Sequence, residues 1–165
     1  MNVVRSNVTS TSPLPPAATN RTVRDALPRP PGRALELYAG AGNFTRGLVA
    51  DGWDVLASDV VAPARPSMPA PGRFELGPAP AVLARVAGPF DAILLDPPRT
   101  GAADAIDGIL RHAPATIIYV SCDPATLARD AARLVAAGYR ATDAWPVDVM
   151  PQTAHVEVVL RMGTV

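Results

Sequence analysis

From Arg33 onward, short apolar runs alternate with stretches of mixed character. Ala34-Leu35-Glu36-Leu37-Tyr38 predicts a short strand and Ala39-Gly40-Ala41-Gly42 a turn. Asn43 is placed to cap a helix running to about Ala50. Trp53 to Ser58 predicts a second strand, and Asp91 to Leu95 a buried one. Ala105 to His112 reads as helix, and Thr116 to Val120 as another buried strand. Pro124 to Ala137 predicts a strong helix, with proline tolerated in its first turn and Gly138 as its stop. Arg140 to Val147 and His155 to Met162 are two final extended segments. Strands and helices that alternate in this way define an α/β protein with a parallel sheet.

Two regions break the alternation. Between Val61 and Gly88 the prolines 63, 66, 69, 71, 78 and 80 forbid a helix over 62–72 and leave room for a short one only at about Ala81–Ala87. Residues 1–32, rich in Ser, Thr, Asn, Pro and Ala, read as a mobile tail with at most a helical turn at Thr22–Leu27. Residues 33–165 then form the folded body.

Composition bounds the function. A chain of 165 residues with 48% apolar residues is sized for one globular domain. There is no lysine, so all 15 cations are arginines, and they balance twelve aspartates and three glutamates. Net zero charge excludes a strongly basic body. No apolar run approaches membrane-spanning length, and the N-terminus lacks the apolar core of a secretory signal, so a cytoplasmic setting without membrane contact is expected. The single cysteine, Cys122, excludes an intrachain disulfide and a four-cysteine zinc or iron–sulfur site, and no metal is expected.

Four places carry chemistry. Gly40 and Gly42 follow a strand and open a helix, a placement that brings backbone N–H groups close to a ligand. Thr45 stands where a dinucleotide fingerprint wants a third small residue, and the phosphate-loop lysine is absent. Glu36 at the strand end is awkward for a pyrophosphate but suits hydroxyls or an ammonium group, favouring S-adenosylmethionine over NAD. Asp59, ending the second strand, can accept from ribose hydroxyls; a tight turn without ligand is the plainer alternative. Asp96-Pro97-Pro98-Arg99 is a stiffened turn at a strand end, where α/β sheets bind ligands. Its carboxylate can position a substrate base or the methionine end of a cofactor, and Arg99 offers a planar fork for phosphate or carbonyl; a proline-stabilised turn with a solvated arginine also fits. Cys122 directly precedes a helix, where the dipole favours a thiolate, although a lone cysteine is more often a small buried hydrophobe. Glu157 lies between valines in a strand, so it faces outward or has a partner or a task. His155 would share its face and reads as structural, and His112 as a surface residue.

Together these segments resemble the RNA uracil-5-methyltransferases, which form 5-methyluridine in transfer or ribosomal RNA. Leu35 to Thr45 is similar to that family's cofactor loop, Leu95 to Ala102 to its Asp-Pro-Pro-Arg motif, Tyr119 to Asp130 to its nucleophile motif (with Asp123 where Asn is usual) and Asp148 to Glu157 to its closing motif. Order and spacing agree, including the 35 residues from Cys122 to Glu157.

The resemblance implies a class I methyltransferase-like, Rossmann-like fold whose mostly parallel sheet ends in an antiparallel strand pair. It implies S-adenosylmethionine held by Glu36, Tyr38, Gly40, Gly42, Asn43, Asp59 and Asp96. Cys122 is the implied nucleophile at C6 of uracil, Glu157 the base that removes the C5 proton, and Asp96 and Arg99 hold the base. The family's upstream RNA-binding barrel and central domain have no counterpart, so RNA would be bound weakly by this chain alone or through a separate RNA-binding subunit. The alternative is a truncated, non-catalytic methyltransferase-like domain that acts as a binding module or gene remnant.

Overall fold

The computed structural model describes residues 17–63, 73–148 and 156–164. A seven-stranded sheet forms its centre. In chain order the strands are β1 (Arg33–Leu37), β2 (Asp54–Asp59), β3 (Arg73–Leu76), β4 (Ala92–Leu95), β5 (Thr116–Ser121), β6 (Tyr139–Asp148) and β7 (Val156–Thr164). In space they run β3-β2-β1-β4-β5-β7-β6. The first five are parallel, and β7 enters antiparallel between β5 and β6. Chain order and spatial order part company at β1, with β2 on one side and β4 on the other, which is the crevice where open α/β sheets take ligands.

β4 and β5 are buried at every position because helices cover both faces of the sheet. Side chains alternate between those faces. Leu35, Leu37, Ile93, Leu95, Ile117, Tyr119, Leu160 and Met162 point one way. They meet α3 (Ala79–Arg85), α4 (Ile106–His112) and α5 (Pro124–Ala136), through residues such as Leu83, Ile109 and Leu134. Ala34, Val55, Ala57, Leu94, Ile118, Val120 and Val159 point the other way, against α1 (Ala17–Ala26) and α2 (Asn43–Ala50).

α1 corrects the reading of a mobile tail. Thr19, Val23 and Ala26, spaced at four and three residues, form a buried stripe, with Val23 fully enclosed. Arg24 forms a fork–fork ion pair with Asp51 after α2, and Asn20 Nδ2 donates to the Asn43 carbonyl at 2.8 Å. Residues 1–16 lie outside the described residues, as does the 64–72 part of the segment expected to be non-helical. Two smaller expectations also change. Asn43 is the first helical residue of α2 rather than its cap: Gly42, in the left-handed conformation, makes the entry without a side-chain cap, and Asn43 Oδ1 accepts from Arg46. His112 is half-buried rather than on the surface, with Nε2 2.9 Å from the Leu83 carbonyl and its ring edge-on to Phe90. Pro124 in the first turn of α5 and Gly138 just past its end stand as expected. Among the described residues no helix is long and apolar enough to cross a membrane.

Candidate active site

Strand parity gathers the site. Glu36 lies two residues beyond Ala34, Asp59 two beyond Ala57, Asp96 two beyond Leu94 and Cys122 two beyond Val120, all at the carboxyl ends of parallel strands. Glu157 reaches the same edge from the opposite direction. Because β7 is antiparallel with Ser121 opposite Val158, the start of β7 lies beside the end of β5, and Glu157 stands level with Cys122. Glu157 also shares the parity of Val159, which faces α1 and α2. Across the sheet edge the order is therefore Asp59, Glu36, Asp96, Cys122, Glu157.

On the β1–β2 side, Glu36 is buried and accepts from Thr45 on α2 through Oε2, while Oε1 has no hydrogen-bond partner among the described residues. Burial pushes its carboxyl up to about 8 against the opposing effect of the Thr45 hydroxyl, with Asp96 and Asp59 adding repulsion. Asp59 accepts the Gly40 N–H at 2.9 Å and the Val61 N–H at 3.1 Å and so ties the glycine turn to β2. Gly40 has φ of +53°, and the space a β-carbon would take there has no protein atom within 4 Å. The turn thus has an open side. Tyr38 packs instead against the cluster on the opposite sheet face, and burial pushes its phenol up to about 12. Tyr38 has the parity of Glu36 but lies just past the end of β1 with φ of +60°, which turns it to the other face.

On the β4–β5 side, burial first and then the charge of Glu157 push Asp96 up to about 7. Cys122 is exposed. Ser121 and Asp123 close a tight turn around it: the Asp123 N–H donates to Ser121 Oγ at 3.1 Å, and that hydroxyl donates to the Asp123 carbonyl at 3.0 Å. Asp123 then caps α5 by accepting the Ala125 and Thr126 N–H groups, each at 3.0 Å. Its carboxyl is held below the usual range, chiefly by the Thr126 N–H, and the positive charge of Arg99 adds to the effect. Arg99 itself is exposed at the mouth of the turn. Met150 to Ala154 and His155 lie outside the described residues.

Three supporting groups were not anticipated. Thr19 on α1 is fully buried and donates its hydroxyl to Glu157 Oε2 at 2.5 Å. Its spacing to Val23 and Ala26 was the available signal. Asp130 on α5, fully buried, accepts from Tyr119 Oη at 2.8 Å, from the Ala102 N–H at 2.7 Å and from Arg129 Nε at 2.9 Å. It thereby locks the loop after Asp96 to the helix after Cys122. Gly101 sits against this lock with φ of +79°, where a β-carbon would come within 2.6 Å of the Asp130 carboxyl, so only glycine fits. Thr45, first weighed only against a nucleotide fingerprint, holds Glu36.

Comparison with known proteins bears on the fold and on the sequence. The solved structure of Pyrococcus abyssi tRNA (uracil-54, C5)-methyltransferase in complex with S-adenosyl-L-homocysteine superposes with a TM-score of 0.74 at 30% identity, covering 88% of this chain and 37% of that one. Burkholderia thailandensis 1,6-didemethyltoxoflavin-N1-methyltransferase shares the fold at a TM-score of 0.71 and 17% identity, over 90% of this chain and 77% of that one. Fold and sheet order are those of a class I methyltransferase. The family model described as tRNA (Uracil-5-)-methyltransferase matches residues 86–163. The 23S rRNA (uracil(1939)-C(5))-methyltransferase RlmD of Thiobacillus denitrificans is 42% identical over 158 residues, 87% of this chain and 36% of that protein. RlmD of Pseudomonas putida is 42% identical over 138 residues, 77% of this chain and 30% of that protein. This chain is similar to the RNA uracil-C5-methyltransferases over most of its own length, and it spans about a third of the length of these curated relatives.

Proposed function

We propose that this domain is a catalytic unit for methylation of C5 of uridine in tRNA or rRNA, with S-adenosylmethionine as methyl donor. The observation that carries the reading is the β5–β7 register, which sets an exposed Cys122 level with Glu157 at the ligand-binding edge.

The residues on the β1–β2 side fit the cofactor. Glu36 keeps a buried oxygen without a partner among the described residues, suited to a hydroxyl or ammonium donor, and the Gly40 turn leaves room for close approach. Asp59 supplies a second acceptor beside them. Bound there, S-adenosylmethionine supplies an electrophilic methyl group.

The chain's own groups do the rest. The Cys122 thiolate adds to C6 of the uracil, which makes C5 nucleophilic. Once C5 carries the methyl, a Glu157 oxygen takes the C5 proton, the C5–H electrons form the C5–C6 double bond, and the C6–S bond breaks to restore the thiolate. Asp96, which holds a proton up to about pH 7, can donate to a carbonyl or accept from an imide N–H of the base. Arg99 lies at the same mouth for a phosphate or carbonyl oxygen. The target base must leave its stack to reach Cys122. With zero net charge the chain has little means to hold RNA by phosphate neutralisation, so a separate RNA-binding subunit supplies that affinity in this reading. A thiol nucleophile works in a reducing compartment, which supports a cytoplasmic setting.

The test is trapping. RNA carrying 5-fluorouracil has no C5 proton to remove, so incubation with S-adenosylmethionine leaves RNA covalently attached at Cys122. Cys122→Ser abolishes the adduct and Glu157→Gln retains it. No adduct with RNA supplied in excess overturns the reading in favour of a non-catalytic domain.

A further inference from the structure

We propose that Thr19 is a positioning residue for Glu157: its hydroxyl fixes one carboxylate oxygen so that the other is presented to the C5 proton. The proposal rests on the reaction assigned above. α1 supplies the hydroxyl from a segment more than 130 residues away in sequence, and the contact joins a fully buried Thr19 to a half-buried Glu157. At 2.5 Å from Glu157 Oε2, it lies in the range of a hydroxyl donating to an ionised carboxylate.

The hydroxyl is not needed to dock α1. Val23 and Ala26 bury the same face, Arg24 pairs with Asp51, and Asn20 bonds the Asn43 carbonyl. A fully buried position on an apolar helix stripe would be filled as well by valine, which has the same shape without the oxygen. Among the described residues the hydroxyl's partner is the carboxylate of Glu157.

Its chemistry also fits both ends of the proton transfer. The hydroxyl donates to Oε2 of the carboxylate before the step and goes on donating to it, then the acid's carbonyl oxygen, once the other oxygen carries the proton, so the contact survives the change of charge. Asp96, when ionised, repels the Glu157 carboxylate and does not orient it. The base is therefore steered by α1, and a chain in which α1 does not dock holds its nucleophile in place but leaves its base unsteered.

Thr19→Val and Thr19→Ser, each compared with the unaltered full chain, separate this from a packing role. On 5-fluorouracil RNA, where no proton is removed, Thr19→Val forms the Cys122 adduct within about twofold of the unaltered rate. On ordinary uridine RNA it releases methylated product at least tenfold more slowly and accumulates covalent protein–RNA complex. Thr19→Ser restores release. Equal loss of adduct formation and release, or unaltered release, overturns the proposal. A readout independent of activity uses the three glutamates: with 13C-labelled glutamate, the side-chain carboxyl signal lost in Glu157→Gln moves in Thr19→Val and stays in Thr19→Ser. An unmoved signal overturns the contact. An unaltered chain that forms no adduct fails the assigned reaction instead, and the carboxyl signal still decides whether Thr19 holds Glu157.

Discussion

Asp96 and Glu157 come from strands that are not neighbours in the sheet, yet the charge of Glu157 adds to burial in pushing the Asp96 carboxyl up to about 7. This coupling has a sign that can be measured. An unfolded aspartate ionises near pH 4, so between about pH 4 and pH 7 the unfolded chain has shed this proton while the folded chain keeps it. The contribution is fully present below pH 4 and lost as the pH rises to about 7. Asp96→Asn removes that part of the slope and makes the chain more stable than the unaltered one at pH 8, by at most about 4 kcal/mol. Urea denaturation at pH 5 and pH 8 checks it; an unchanged slope counts against the coupling.

Glu36 extends the same argument to ligand binding. Its carboxyl, pushed up to about 8, is protonated in the free protein at neutral pH. Hydroxyl or ammonium donors favour the ionised form, so S-adenosylmethionine binding releases a proton. Affinity then rises with pH below about 8, by up to about tenfold per pH unit. Calorimetry in buffers of different ionisation heat detects the released proton. Glu36→Gln binds at least tenfold more weakly and loses the pH dependence.

Asp130 holds two loops of the site with one carboxylate. Asp130→Ala leaves the Tyr119 hydroxyl and the Ala102 N–H buried without an acceptor, a cost of about 3 kcal/mol. The melting temperature falls by roughly 10 °C. Tyr119→Phe costs about 1 kcal/mol, and the double variant loses less than the sum, because the partners share one interaction.

The packing of α1 is tested at Val23. In a mobile tail, Val23→Asp would leave the melting temperature unchanged. Enclosed against the sheet as it is, an aspartate there is buried without a partner and costs more than about 3 kcal/mol.

Much of this was legible because the central strands are nearly continuous apolar runs. Ile93 to Leu95 and Ile117 to Val120 admit few readings once helices flank them, and Pro124 and Gly138 mark the ends of α5 in plain chemistry. α1 was not legible, since its stripe is only Thr19, Val23 and Ala26, one of them polar, among prolines on both sides. Asn43 misled because the chain enters α2 through a left-handed glycine, which removes the need for a side-chain cap. The joining of Cys122 to Glu157 is a matter of non-local strand pairing, which local pattern does not encode. The family motifs singled out both residues, while the β5–β7 register puts them next to its last pair, Ser121 and Val158, at one end of the sheet.

The insertion of β7 between β5 and β6 also has a consequence for synthesis. β6 precedes β7 in the chain, yet β7 is its one neighbour among the described strands. A growing chain can pair β1 to β5 as they emerge, but β6 has nothing to pair with until β7 has left the ribosome. Until then its ten residues present two bare edges. The last strand of the sheet to be made therefore delivers Glu157, seats the strand before it and completes the surface that α1 covers. In the reaction proposed above, the chain gains its base in the same step that covers the bare edge of β6.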